Sequence, residues 1–437
     1  MKRIFFSICL LAAGSIAAFA QDGQIKFQEY DLPNGLHVIL HKDTTTPIVN
    51  VSVMYHVGSK NENPERTGFA HFFEHLMFEG SPNIKREEYM KLIQENGGIV
   101  NANTTQDRTY YFEELPSNQL QLALWMESER MLHLKIDSVG IETQRKVVKE
   151  EKKQRYENSP YGQLMDQVFH NLFTQSPYRW TPIGKEQYID QAKYSEFMDF
   201  YKKYYVPDNA VLVIAGDINI PQAKGWVEKY FAGIPRGTQA IIRPDMTEPK
   251  QTKEKRATFR ANVQLPAVVL AYHIPPMGDP DVYALEMLTK ILAQGSSSRF
   301  QKNLVDKEQK AVDVGSFVYP LEGPGVAIMY GITAQGVDTK ELENALKDQV
   351  DDVVKNGVTE DEFKKVQNQT EFEFATQNAR IKGIAELLAT DYTYFKNTNL
   401  VNSELQKYQQ VTREDLQRVA KKYLTSSNSL VLYYVGK

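Results

Sequence analysis

Apolar and polar residues alternate over 48–57, IVNVSVMYHV, which is the pattern of a half-buried strand. Residues 26–32 and 36–42 flank Pro33-Asn34-Gly35, whose turn chemistry predicts a hairpin. The spacing then becomes helical. Residues 67–78 read as a helix ending near Gly80, and 86–96 as a helix stopped by Gly97-Gly98. A strand pair is predicted at about 99–115, followed by long helices at about 117–133 and 138–157. The second half follows the same style. It has a strand at 264–273, a helix at 280–293, strands around 311–333, and helices around 338–354 and 359–390 before a closing helix and strand.

An internal repeat explains the shared style. Residues 202–214 read KKYYVPDNAVLVI and residues 421–433 read KKYLTSSNSLVLY, an offset of 421 − 202 = 219 that matches Asn209 to Asn428. Each copy ends an amphipathic helix, crosses a turn and enters an apolar strand. A period this long means two duplicated domains rather than a solenoid. Residues 234–258 hold three prolines and many charges with little apolar periodicity, which is linker chemistry. The expected division is a first domain at 24–235, a linker at 236–254 and a second domain at 255–437. The expected class is α+β, each domain a mostly antiparallel sheet with helices packed on one face.

The start of the chain has its own pattern. Lys2-Arg3 precedes an apolar run from Ile4 to Ala17 and the small-x-small site Ala18-Phe19-Ala20. That reads as a secretory signal peptide over 1–20, cut before Gln21, and implies export to the periplasm or release from the cell. The one cysteine, Cys9, lies inside it. A mature chain without cysteine has no disulfide framework, thiolate metal site or cysteine nucleophile. Removing Lys2 and Arg3 leaves 51 − 2 = 49 basic against 55 acidic residues, a net charge of −6. This mild acidity argues against nucleic acid as a partner. No mature segment approaches the roughly 18 uninterrupted apolar residues of a membrane span.

The candidate chemistry is concentrated in His71-Phe72-Phe73-Glu74-His75. Positions i and i+4 share a helix face, so both imidazoles can reach one metal ion. Neutral imidazole suits zinc, and catalytic zinc takes three protein ligands plus a water. Glu74 can stay near that water without being a ligand and act as general base. H-x-x-E-H is the inverted zinc motif. The third ligand must come from elsewhere, and VVKEE at 147–151 offers Glu150 or Glu151. These two are about 100° apart on a helix, so only one can point at the metal. Taking Val147 and Val148 as the buried side turns Glu151 inward. The charged run EEKK equally suits a solvated face, so geometry leaves the choice open.

With these residues in view, the chain resembles the pitrilysin or insulinase family of zinc metallopeptidases, M16. It is most similar to the short two-domain type related to the mitochondrial processing peptidase. The resemblance runs through Asn34-Gly35, Val57-Gly58-Ser59 and GFAHFFEHLMFEGS. It continues through Gly97-Gly98, Asn101-Ala102, Thr109-Tyr110, the VVKEE helix and Pro182-Ile183-Gly184. It implies the LuxS/MPP-like metallohydrolase fold, one Zn2+ per chain held by His71 and His75, and Glu74 as the base. The family's distal glutamate lies about 76 residues after the second histidine, and 151 − 75 = 76, so the resemblance selects Glu151. Many relatives carry an acid seven positions before that glutamate, where this chain has Gln144. An amide there implies weaker support of the metal site rather than loss of binding. Residues 99–104, IVNANT, match the family's edge strand, so Asn101 and Ala102 would hold an extended peptide through backbone bonds.

The function implied is a zinc-dependent endopeptidase acting on extended peptides or unfolded polypeptides in a clamshell chamber. The second half carries no comparable cluster; its only histidine is His273. The family's chamber usually needs four such domains and this chain has two. A homodimer, or a heterodimer with a paralog lacking the zinc site, is therefore implied. Some relatives hold substrate with an Arg-x6-Tyr pair. None of the second half's arginines, 243, 256, 260, 299, 380, 413 and 418, has tyrosine seven residues on. The competing reading is a non-catalytic peptide-binding subunit, in which the zinc motif is typically broken. A structural zinc protein would need a fourth protein ligand and leaves Glu74 without a role.

Overall fold

The strand Ile48–Tyr55 is buried along almost its whole length, including the polar positions Asn50 and Ser52. A half-buried strand was the expectation from its alternation. The difference lies in what covers its second face, and that follows from the architecture of the whole chain. The computed structural model describes residues 24–437, so the expected signal peptide lies outside the described residues.

The first half forms a six-stranded sheet. Its strands are β1 (Gln28–Asp31), β2 (His37–Lys42), β3 (Ile48–Tyr55), β4 (Ile99–Thr104), β5 (Thr109–Pro116) and β6 (Ala210–Gly216), in the order β1-β2-β6-β3-β5-β4. Its helices are α1 (Phe69–Leu76), α2 (Glu88–Glu95), α3 (Leu120–His133), α4 (Ser138–Lys152), α5 (Leu164–Leu172), α6 (Glu186–Gln191), α7 (Tyr194–Tyr204) and α8 (Ile220–Phe231). The second half has β7 (Lys255–Ala261), β8 (Ala267–Ile274), β9 (Ala311–Tyr319), β10 (Gly325–Thr333) and β11 (Ser429–Gly436), in the order β7-β11-β8-β10-β9. Its helices are α9 (Pro280–Ala293), α10 (Thr339–Asn356), α11 (Glu360–Asn378), α12 (Ile381–Phe395), α13 (Glu404–Gln409) and α14 (Arg413–Tyr423).

The duplication is visible strand by strand. Each sheet has one parallel pair, β2 with β6 and β7 with β11, among antiparallel neighbours. The matched asparagines do the same work. Asn209 Nδ2 donates to the carbonyl of Tyr204 at 2.8 Å, and Asn428 Nδ2 donates to that of Tyr423 at 2.8 Å. Each ties the last turn of a helix to the strand that follows it.

One face of each sheet packs on helices of its own half, through Leu36, Val51, Phe72 and Leu124 in the first and Leu270, Leu288, Leu346 and Val419 in the second. The other faces are exchanged. Helix α12 of the second half lays Ile384, Ala385 and Leu388 on Met54, Tyr110 and Val213 of the first sheet. Helix α5 of the first half lays Val168, Phe169 and Leu172 on Val269, Ile328 and Leu432 of the second. Each fully buried aliphatic side chain contributes roughly 1.5–3 kcal/mol, so neither half closes its sheet without the other.

The exchange also splits the expected helix 359–390 in two. Helix α11 ends at Asn378, Arg380 is extended (φ −113°, ψ 127°), and α12 begins at Ile381. Neither proline nor a breaking dipeptide marks the junction. Gly383 does, because a Cβ there would lie 2.4 Å from the carbonyl oxygen of Gln377. Residues 255–261 form a strand that the linker-like composition around it concealed. Between Phe231 and Lys255 there is no helix or strand, yet this segment is docked. Arg243 Nη2 donates to Asn209 Oδ1 at 2.7 Å, and the Glu248 carboxylate accepts from the backbone of Thr174, Gln175 and Ser176.

Candidate active site

Helix α1 buries Phe69, Phe72, Phe73 and Leu76. Phe69 and Phe72 each lie 4.9 Å from the Phe197 ring, and Phe73 stacks on Phe200 at 5.3 Å. With that face committed to the core, His71, Glu74 and His75 are left half-buried on the opposite side. The start of the helix is clamped. Gly68 has φ 102°, and a Cβ on Gly184 would lie 2.3 Å from its nitrogen, so two glycines meet there. The Glu62 carboxyl group accepts from Gly68 N at 3.0 Å and Ala70 N at 2.8 Å, satisfying two amides at the helix start, while burial outweighs these bonds and raises it to about 8.

Helix α4 arrives from the other side. Asp137 caps it by accepting from Gly140 N at 2.7 Å, and Arg86 holds Asp137 at 2.8 Å. At its far end Lys152 Nζ donates to Gly184 O at 2.7 Å, fastening α4 to the loop that abuts Gly68. The last turn of α4 carries Glu151. Its Oε2 is 3.1 Å from His75 Nε2 and 3.6 Å from His71 Nε2, and one ligand atom from each residue lies within 4.8 Å of the others. Glu150 is exposed and bonded to Gln154 at 2.9 Å. Val147, expected on the buried side with Val148, is 43% exposed, and Val148 alone of the two is buried.

The donor set fits a divalent transition metal such as zinc. Two imidazole nitrogens and one carboxylate oxygen converge, and three protein donors leave a position for water. Burial, with the neighbouring His75, pushes His71 down to about 4, which keeps the neutral ring that ligation requires. The hydrogen bond with His75 holds the Glu151 carboxyl below its ordinary value. Burial raises the Glu74 carboxyl, and a hydrogen bond from Thr104 Oγ1 to Glu74 Oε2 opposes that.

A cavity of about 210 Å³ opens beside the cluster, lined by Glu74, His75, Glu151, Asn101, Ala102 and Arg155. Strand β4 is the edge of its sheet, paired only with β5, and its exposure alternates along its length. Ala102 N is hydrogen-bonded to Asn101 Oδ1 at 2.8 Å rather than to β5, so this amide points to the free edge. Gln144 lies two turns before Glu151, and its Nε2 donates to Glu79 Oε1 at 2.6 Å. That bond ties α4 to the segment just after α1. Among the described residues, Gln144 makes no hydrogen bond to His71, His75 or Glu151.

Sequence reasoning missed three residues of this site. Thr104 bonds Glu74, Glu62 caps α1, and Arg155 Nη1 donates to Glu151 Oε1 at 2.7 Å. Arg155 lies four residues after Glu151, a helical spacing that could have signalled it. Nothing local could have signalled the other two.

Comparison with known proteins identifies the family of the chain. Residues 37–185 match the family described as Insulinase (Peptidase family M16), and residues 191–370 match the Peptidase M16 inactive domain. The zinc protease PqqE of Helicobacter pylori is 30% identical over 437 residues, spanning 99% of this chain and 98% of that protein. The uncharacterized zinc protease YmxG of Bacillus subtilis is 25% identical, spanning 78% of this chain and 82% of its own. A solved protease from Helicobacter pylori superposes with a TM-score of 0.90 at 30% identity, covering 94% of this chain and 99% of that one. The periplasmic protease PqqL of Escherichia coli shares the fold, with a TM-score of 0.76 at 18% identity over 94% of this chain and 47% of its own. The chain belongs to peptidase family M16.

Proposed function

We propose that this chain is a zinc-dependent endopeptidase that hydrolyses extended peptides or unfolded polypeptides. The observation that carries the reading is the convergence of His71, His75 and Glu151, with Glu74 one turn from His71 and beside the same cavity. His71, His75 and Glu151 would hold a zinc ion, which when bound would supply Lewis-acid chemistry to a water and a substrate carbonyl. Glu74 takes the proton of the attacking water and passes it to the leaving amine. The peptide adds to the free edge of β4, where the backbone of Ala102 pairs with it and Asn101 borders it. Backbone pairing demands an extended segment, so a folded domain is a poor substrate. Gln144 acts at one remove, by tying α4 to Glu79 behind the cluster.

The chain works as half of a clamshell, as a homodimer or with a second M16 chain that lacks the zinc site. A signal peptide over 1–20 directs it to the periplasm or out of the cell. No helix among the described residues is long and apolar enough to cross a membrane. The test is zinc stoichiometry together with cleavage of a quenched-fluorescence peptide by the native material and by Glu74→Gln. One zinc per chain with cleavage lost in the variant supports the reading. A zinc-free chain, or a variant that still cleaves, overturns it. Native mass with and without a co-encoded neighbour decides the assembly.

A further inference from the structure

The Glu74 carboxylate reaches across from α1 to the end of the edge strand, where the Thr104 hydroxyl donates to its Oε2. Glu74 has several rotatable bonds and could point along the open cavity. The threonine is stiffer, because a β-branched side chain is restricted at χ1. One carboxylate oxygen is therefore held and the other left free.

The platform under Thr104 is built by both halves of the chain. Thr104 pairs with Thr109 in register, where the β4–β5 hairpin closes. In the turn, Thr105 Oγ1 accepts from the amides of Asp107 and Arg108, both at 3.2 Å. The segment before α1 grips the same turn, since Ser59 N donates to Thr105 O at 3.2 Å and Lys60 N to Gln106 O at 3.0 Å. Arg108 binds the side chain of Asn103 through Nη1 and Glu386 of α12 through Nη2, the latter at 2.6 Å. Lys60 Nζ pairs with Asp107 at 2.9 Å, and Glu322 N donates to Asp107 Oδ2 at 3.0 Å. The second half thus braces, through Glu386 and Glu322, the turn that carries Thr104.

We propose that Thr104 is a positioning residue for the general base: its hydroxyl anchors one oxygen of Glu74 and directs the other toward the attacking water. This rests on the peptidase reading above. It also gives the second half, which has no metal cluster among its described residues, a part in the reaction, because α12 helps hold the strand that holds the base.

The test uses the full chain in its native assembly. Thr104→Val keeps the shape and removes the hydroxyl, while Thr104→Ser keeps the hydroxyl. Thr104→Val is expected to lower kcat about tenfold, the effect of one lost hydrogen bond, with KM within about twofold. Zinc content and Tm should stay at the native values, and Thr104→Ser should restore most of the kcat. In a Glu74→Gln background, Thr104→Val should cost nothing further, because its partner's role is already gone. A fully active Thr104→Val, a serine variant as poor as the valine, or a kcat loss that tracks lost zinc or lowered Tm would each overturn the proposal. If Glu74→Gln itself cleaves normally, the peptidase reading fails first. If Glu74→Gln is inactive and Thr104→Val is native, only this inference fails.

Discussion

His75 Nε2 lies 3.1 Å from Glu151 Oε2, although 151 − 75 = 76 positions of sequence separate them. The contact joins two helices that are otherwise tied through the Gly184 loop. If these residues hold zinc, Glu151→Ala should lose it. Losing even an outer partner of a ligand costs about 10–100-fold in affinity, so losing the ligand should cost at least that. Glu150→Ala, one residue away on the exposed face, is the control and should keep one zinc per chain. Metal analysis of the two dialysed proteins distinguishes them.

Glu74→Gln preserves shape and removes the proton acceptor. General acid–base catalysis contributes about 10²–10⁴-fold, so cleavage should fall by that range while zinc stays bound. Peptide turnover measured alongside zinc content checks both halves of this expectation.

Strand β4 can be tested through its backbone. Ala102→Pro removes the amide that points to the free edge, and proline is tolerated on edge strands. One lost backbone hydrogen bond corresponds to about 1 kcal/mol, or several-fold in kcat/KM, carried by KM. Steady-state kinetics on an extended peptide read this directly. An unchanged KM would remove β4 as the substrate strand.

Arg130 is the largest fully buried side chain among the described residues, at 2% exposure. Its Nη2 meets Glu113 at 2.8 Å, it also binds Glu127, and it lies 4.5 Å from the Tyr111 ring. Arg130→Met leaves the Glu113 and Glu127 side chains buried side by side without their cation. Breaking a buried pair in this way costs about 3–5 kcal/mol, which a shift in the urea midpoint would register.

Acid sensitivity should arise where the halves meet. Burial favours the neutral form of Glu322, but its hydrogen bond with His56 at 2.6 Å and the Lys60 charge prevail and hold it at about 2, against an ordinary value of 4.5. Asp107 shares Lys60, and Arg243 adds positive charge to the same junction. A depressed carboxyl contributes stability that is fully present above about 4.5 and is lost as pH falls through about 2, here on the order of 3 kcal/mol. Native protein should therefore be more stable than Glu322→Gln at pH 7. The difference between their urea midpoints should narrow steadily below pH 4.5. A gap that does not change with pH would show that the charge of Glu322 is not what stabilises the junction.

Much of this molecule was legible from local pattern. The Pro33-Asn34-Gly35 hairpin, the helix holding His71 and His75, and the repeat ending at Asn209 and Asn428 all follow from short-range rules. Hydrophobic period and turn chemistry act over a few residues, and an i, i+4 histidine pair is a local fact. The sequence alone therefore determined many of the element types, the duplication and two members of the cluster. Tertiary structure decided the rest. Helical geometry left Glu150 and Glu151 both open, because the inward direction depends on where α4 lies against α1. The burial of both faces of β3 and the break between α11 and α12 depend on two helices exchanged between the halves. Thr104 meets Glu74 only because the edge strand passes over α1. Each of these contacts joins residues distant in sequence, and the free energy of packing two faces together is not written in the period of either one.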